Sequence, residues 1–353
     1  MEKNKITYRQ QTDIDNTLKL REVLKTLPPF CKDFFRAIDA TTTTKTRISY
    51  AYDIRIFFQF ILDENPAFRD ASMTDFTVDV LDQIKAVDLE EYEEYLKVYK
   101  SGDKTETNGE RGLKRKLSSL RSFYAYYYKR EMIHTNPTVL IDVPKIHQKS
   151  IIRLDADEVA MLLDYIEHCG DSLTGQKRVY YEKTKERDLA LVTLLLGTGI
   201  RVSECVGLDV EDVDFKNNGI KVTRKGGNEM VVYFGEEVER ALKRYLTVRE
   251  GITPVAGHEH ALFYSSQRRR IGVQAVENLV KKYARQVTTT KKITPHKLRS
   301  TYGTALYQET GDIYLVADVL GHKDVNTTKK HYAALDDNRR RQAATAVRLR
   351  EDK

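Results

Sequence analysis

The stretch Leu189-Ala190-Leu191-Val192-Thr193-Leu194-Leu195-Leu196-Gly197-Thr198-Gly199 decides how the second half of the chain is read. Its apolar run has the composition of a buried helix, and the glycines end it, because a left-handed residue closing a helix is least strained as glycine. The run falls far short of the ~18 apolar residues a membrane-spanning helix needs. Upstream, Asp155 and Glu158 have the spacing of a capping box ahead of Val159, Leu162, Leu163 and Ile166, so a helix begins there. Residues 170–185 between these two helices read as a long polar link. Downstream, β-formers alternate at 220–223 and 230–234 around Gly226-Gly227-Asn228, which predicts a hairpin. Helical patterns follow at 236–250, 273–286, 295–309 and 312–320, with a short strand at 261–264. The second half is therefore mainly helical with a small antiparallel sheet.

The first half also reads as helix. Ile54, Phe57, Phe58, Ile61 and Leu62 share one face, as do Leu113, Leu117, Leu120, Tyr124 and Tyr127. The second of these helices also carries Arg111, Lys114, Arg115, Lys116 and Arg121, with Ser118 and Ser119 among them. Cations and hydroxyls on one helix can grip phosphates, although a solvated basic face is the more ordinary meaning of such a run. Periodicity stops near Asn136, Pro137 and Pro144, and residues 142–153 read as a linker between two domains.

The whole chain has 353 residues, a length that suggests two domains. Its 59 Lys plus Arg against 52 Asp plus Glu leave a formal charge of +7, a modest excess compatible with a polyanion partner. The mixed-charge start leads into no apolar run, so the expectation is a protein of the cell interior without a secretory signal. Three scattered cysteines, Cys31, Cys169 and Cys205, form neither a disulfide framework nor a zinc knuckle.

Several residues could do chemistry. Thr294-Pro295-His296-Lys297-Leu298-Arg299 places an N-cap and a first-turn proline ahead of His296 and Arg299, three apart on one helix face. Arg201 follows the glycine break, with Glu204 three residues on. Lys225 sits in the hairpin turn, and Leu320-Gly321-His322 precedes His331-Tyr332. Each fragment alone has an ordinary structural explanation: a helix cap, a surface ion pair, a solvated turn lysine. The three histidines lack the spacing and the acidic or cysteine partners of a zinc site.

Taken in order, these blocks resemble the tyrosine recombinases, or phage-type integrases. The match runs through Thr-Gly-Ile-Arg-Val-Ser-Glu at 198–204, Arg-Lys-Gly-Gly at 224–227, Pro-His-Lys-Leu-Arg at 295–299, and Leu-Gly-His to Tyr at 320–332. Residues 115–123 similarly resemble the DNA-contacting helix of that family's core-binding domain. The resemblance implies a mainly α fold: an N-terminal extension (1–40), a helical core-binding domain (41–145), and an α+β catalytic domain with a small antiparallel sheet (154–353).

It also implies a site of Arg201, Lys225, His296, Arg299, His322 and the nucleophile Tyr332, with Glu204 orienting it and neither metal nor cofactor required. Lys221, on the same hairpin, remains an alternative to Lys225. Double-stranded DNA with a two-fold recombination site is the implied partner, bound by a homotetramer in the cytoplasm at the nucleoid, with a DNA translocase as a further partner. The function implied is site-specific recombination of the Xer-like kind, resolving chromosome dimers. A phage or transposon integrase, a nicking and closing enzyme, and an architectural protein with a decayed site are the alternatives. Tyr332 lies one position further from His322 than in many members, which puts His331 at the expected place. Ser300 stands where a histidine is common, and the 170–185 stretch is longer than usual. A basic terminal helix with Ala343, Ala344, Val347 and Leu349 on its apolar face is implied to dock on a neighbouring protomer.

Overall fold

Gly199 takes the left-handed conformation, φ +62°, and closes a 24-residue helix over Gly175–Thr198. A computed structural model describes residues 7–68, 70–147, 151–224, 227–322 and 324–325. Two compact units divide it, Met1–Lys149 and Ser150–Lys353.

The first unit contains α1 (Tyr8–Lys25), α2 (Cys31–Ala37), α3 (Thr44–Glu64), α4 (Val80–Gln83) and α5 (Ala86–Lys97), then strands β1 (Val98–Ser101) and β2 (Lys104–Thr107), and α6 (Glu110–Tyr128). Aromatic rings fill its core. Phe34 meets Phe123 edge-on at 5.2 Å, and Phe57 meets Tyr92 at 5.3 Å. Such rings carry large buried areas and prefer edge-to-face contact. The residues before Thr41, expected as an extension, enter this same core: Leu20, Val23, Leu27, Cys31, Phe34 and Phe35 are all buried in it. Tyr127 on α6 also donates its hydroxyl to the Phe30 carbonyl at 2.8 Å, tying the two segments together. The β1–β2 hairpin was not expected. It turns at Gly102, φ +59°, with Ser101 opposite Lys104, the two-residue connection that glycine at the first position favours.

The second unit contains α7 (Ala156–His168), α8 (Gly175–Thr198), α9 (Val202–Gly207), strands β3 (Val213–Asp214), β4 (Gly219–Thr223) and β5 (Glu229–Tyr233), and helices α10 (Glu236–Glu250), α11 (Val273–Val287), α12 (Pro295–Thr310) and α13 (Ile313–Leu320). The strands form one antiparallel sheet in the order β3-β4-β5, with Ile220 opposite Val232 and Thr223 opposite Glu229. The inward positions Ile220 and Val222 are buried, as the alternation requires.

Two readings of the sequence need correction here. The polar stretch at 170–185 is not a link, because α8 already begins at Gly175. Its Gln, Lys, Arg and Glu residues are good helix formers, and Tyr181 anchors it by donating to the carbonyls of Ile166 and Glu167 at 3.0 and 2.6 Å. The expected strand at 261–264 shrinks to isolated bridges, Asp209 with Ala261 and Tyr264 with Arg270. There the Arg249 guanidinium takes the Ala261 and Glu259 carbonyls, at 3.0 and 2.6 Å, so a side chain satisfies acceptors that a ladder would otherwise need.

Gly199 has a second constraint besides its backbone. A Cβ there would lie 2.4 Å from Tyr302 and 2.9 Å from Leu320. Gly199→Ala is therefore expected to destabilise the second unit by about 2 kcal/mol or more, the left-handed strain adding to the collision. Urea unfolding checks this, and an unchanged midpoint would contradict the packing described.

Candidate active site and DNA-facing helix

The last turn of α13 gathers three arginines of the second unit. Gly321 adopts φ +60° and closes the helix, leaving the carbonyls of its final turn directed outward. Arg299, on α12 and 4% exposed, donates from Nη1 to the Gly199 carbonyl at 2.5 Å and from Nη2 to the Leu320 carbonyl. Arg201 donates from Nη2 to the Gly321 carbonyl at 3.2 Å and from Nη1 to Glu204 Oε1 at 2.7 Å. Glu204 is itself buried, and its other oxygen accepts the Arg201 backbone N–H at 2.9 Å. A planar fork held by a carboxylate and a carbonyl cannot swing freely, so Arg201 is oriented before any ligand arrives.

Arg224, just past β4, reaches the same turn. It donates to the Val319 carbonyl at 2.6 Å and the Asp318 carbonyl at 3.4 Å. Burial pushes its guanidinium below the ordinary range; Glu204 and Asp318 oppose that, while neighbouring Arg201 adds to it. Cations at a helix C-terminus are favoured by its partial negative charge, and here guanidiniums from three separate segments share one such end.

His296 is exposed in the first turn of α12, one turn ahead of Arg299, with Thr294 as N-cap and Pro295 leading the helix. His322 is partly buried, and its backbone N–H closes on the Ala317 carbonyl at 2.9 Å. The structure thus brings Arg201, Glu204, Arg299 and the Gly321–His322 turn together. Lys225, His331, Tyr332 and the terminal basic helix lie outside the described residues. Lys221 projects from the outward side of β4 and pairs with Glu229 at 2.8 Å, which holds its ammonium on that exposed face. Arg224 is the site residue the sequence did not single out. Its acceptors lie 94 and 95 residues away, and no local pattern announces such a contact.

In the first unit, α6 divides the residues expected to face DNA. Arg111, Lys114 and Ser118 are exposed. Arg115 is half exposed and bound to Asp53 of α3. Lys116, Ser119 and Arg121 need correction as surface contacts. Lys116 is only 6% exposed, with Nζ 3.5 Å from Asp53. Ser119 is fully buried and donates to the Lys116 carbonyl at 2.8 Å. Arg121 is committed to the carbonyls of Thr138 and Ile141, at 3.1 and 2.5 Å. All three fall on or beside the apolar stripe, so their polar groups are spent on the unit's own structure. Burial raises the Asp53 carboxyl above the usual carboxylate range despite the pull of Arg115 and Lys116, and burial likewise lowers the Lys116 ammonium.

The three cysteines are free and buried, and no cluster of His, Cys, Asp and Glu suited to a metal ion occurs among the described residues. Nor is any helix among them long and apolar enough to cross a membrane.

A family model described as the phage integrase family matches residues 152–339. The tyrosine recombinase XerC of Caldanaerobacter subterraneus subsp. tengcongensis is 33% identical over 340 residues, covering 92% of this chain and 88% of that protein. The tyrosine recombinase XerS of Streptococcus uberis is 29% identical over 349 residues, covering 91% and 96%. Among solved structures, the XerH site-specific recombinase bound to a palindromic difH substrate in a post-cleavage complex aligns with a TM-score of 0.66 at 22% identity, over 97% of this chain and 90% of that one. A lambda integrase dimer bound to a COC' core site aligns at 0.60 and 16% identity, over 86% of this chain and 93% of that one. These two likenesses concern fold, and the mainly helical architecture with small antiparallel sheets agrees with them. The matched model spans the segments that carry Arg201, Arg299 and Gly321, and with the relatives aligned along nearly the whole length, the chain belongs to the phage integrase family, the tyrosine recombinases.

Proposed function

We propose that this chain is a Xer-type site-specific recombinase that cuts and rejoins DNA through a 3′-phosphotyrosine bond and serves in resolving chromosome dimers. The observation that carries this reading is the convergence of Arg201 and Arg299 on the single turn that ends α13. Each guanidinium is a planar fork of N–H donors, a geometry that matches the oxygens of a phosphate beside that turn. A phosphodiester under attack gains charge on its non-bridging oxygens, where one positioned donor is worth about 3 kcal/mol.

Tyr332 is the proposed nucleophile. A phenol with a reference pKa of ~10 costs about 4 kcal/mol to ionise at neutral pH, and the nearby cations lower that cost. Its oxygen bonds to phosphorus as the bond to the 5′ oxygen breaks; the phenolic proton leaves to solvent. The departing 5′ oxygen takes a proton from Lys225, with His296 and His322 hydrogen bonding to the phosphate. Because the new bond is itself a phosphodiester, the 5′-hydroxyl of a second strand can displace the tyrosine and restore continuous DNA.

Four protomers on two duplexes, at a short two-fold site in the cytoplasmic nucleoid, complete the proposal, with a DNA translocase as a further partner. The names of the XerC and XerS relatives, aligned over about nine-tenths of this chain, support the chromosomal role over an integrase. Sequencing the DNA trapped covalently on the protein in cells tests it: one chromosomal site of two-fold symmetry is the expected result, and the ends of a mobile element would replace it with the integrase reading.

Binding to DNA by α6 has its own test. Lys114 is exposed, so Lys114→Ala is expected to weaken binding equally across sequences and to reduce the slope of log K against log salt by about 0.9. Ser119→Ala, at a buried position, should leave that slope unchanged.

A further inference from the structure

Arg224 joins two parts of the site that the chain otherwise leaves separate. Its backbone N–H donates to the Asn228 carbonyl at 2.8 Å, and its own carbonyl accepts from the Gly227 N–H at 3.0 Å, so it frames the turn of the β4–β5 hairpin. Its side chain departs from the hairpin altogether and binds the Val319 and Asp318 carbonyls at the end of α13. The guanidinium lies over Gly321 so closely that a Cβ there would sit 1.3 Å from its Nη1. Gly321 is thus glycine for two reasons, its φ of +60° and the space it yields to Arg224.

Closing a helix does not require this. Water satisfies exposed terminal carbonyls, whereas this arrangement buries the Arg224 Nε without a hydrogen-bond partner, an unfavourable state. What the contact supplies is a fixed distance between the hairpin turn and the turn carrying His322. Lys225, next in the chain after Arg224, lies outside the described residues.

We propose that Arg224 is a positioning residue for proton delivery: it locks the hairpin turn to the end of α13, so that the candidate general acid Lys225 meets the 5′ oxygen of the phosphate held beside that turn. This rests on the reading of Lys225 as the acid given above. As the Tyr332 oxygen bonds to phosphorus, the P–O5′ bond breaks, its electron pair stays on the 5′ oxygen, and the Lys225 ammonium supplies the proton.

The test uses the full chain and duplexes bearing the trapped site, with either oxygen or sulfur bridging phosphorus and the 5′ carbon. A thiolate leaves without a proton, so it removes the need for an acid while retaining every other demand on the site. Single-turnover cleavage of the oxygen substrate is expected to fall on the order of 10²-fold in Arg224→Ala and in Lys225→Ala, and both are expected to return to within about tenfold of the unaltered protein on the sulfur substrate. Arg224→Lys, which can reach one carbonyl, is expected to fall between and to show the same rescue; it carries the test should Arg224→Ala not fold. Rescue of Lys225→Ala without rescue of either Arg224 variant overturns the positioning role alone, as would unchanged oxygen cleavage in Arg224→Ala. Failure of sulfur to rescue Lys225→Ala overturns the acid assignment and takes the proposal with it.

Discussion

Tyr332→Phe is expected to abolish covalent capture of DNA while leaving DNA affinity within about twofold, since a lone exchange of hydroxyl for hydrogen removes the proposed nucleophile but none of the cations proposed to grip phosphate. The size of the effect follows from chemistry. Phenylalanine offers no lone pair to phosphorus, and a hydrogen bond or a charge elsewhere cannot replace a bond-forming atom. The comparison to make is with His331→Ala, because the family resemblance puts His331 at the tyrosine's expected place. Labelled duplex, incubated with each variant and run on a denaturing gel, gives the answer. Capture that persists in Tyr332→Phe would mean another side chain attacks, and the assignment of the nucleophile would fail.

Arg299→Lys is the second large effect. The Arg299 guanidinium bridges the Gly199 and Leu320 carbonyls and is almost wholly buried. An ammonium is a single point of charge and cannot span both acceptors while also facing a phosphate oxygen. One buried carbonyl then loses its charged donor, a loss of about 2 kcal/mol in stability. Misplacing a donor proposed to meet the phosphate is expected to slow strand cleavage by roughly 10²- to 10³-fold. Urea unfolding and single-turnover cleavage, measured together, separate the two consequences. Cleavage within tenfold of the unaltered protein would show that Arg299 serves only to hold α12 against its neighbours.

How much of this could be read beforehand depended on whether the cause was local. The hairpin at β4–β5, the capping box of Asp155 and Glu158, and the start of α12 at Pro295 all have short-range causes and were legible. The polar half of α8 was not, because its helix-forming residues bury little and show no apolar stripe. The β1–β2 hairpin has an equally local cause in Ser101-Gly102-Asp103-Lys104, yet its strands are exposed on both sides and lack the alternation that marks a sheet. On α6 the division of the basic residues was in fact available. Lys116 lies three residues after Leu113 and one before Leu117, and Ser119 one before Leu120, so a helical projection puts both at the core. What no projection contains is Asp53, 62 and 63 residues from the cations it binds. Arg224 is hidden for the same reason.

The junction after α8, the β4–β5 hairpin and α12 each send one guanidinium to the final turn of α13. Each of these contacts closes on α13, so the arrangement of the three cations belongs to the folded unit and to no single segment of it. On the proposed reading of Tyr332, a molecule whose α13 has not docked, whether newly synthesised or heat-damaged, carries the nucleophile without the assembled cations that would aim it.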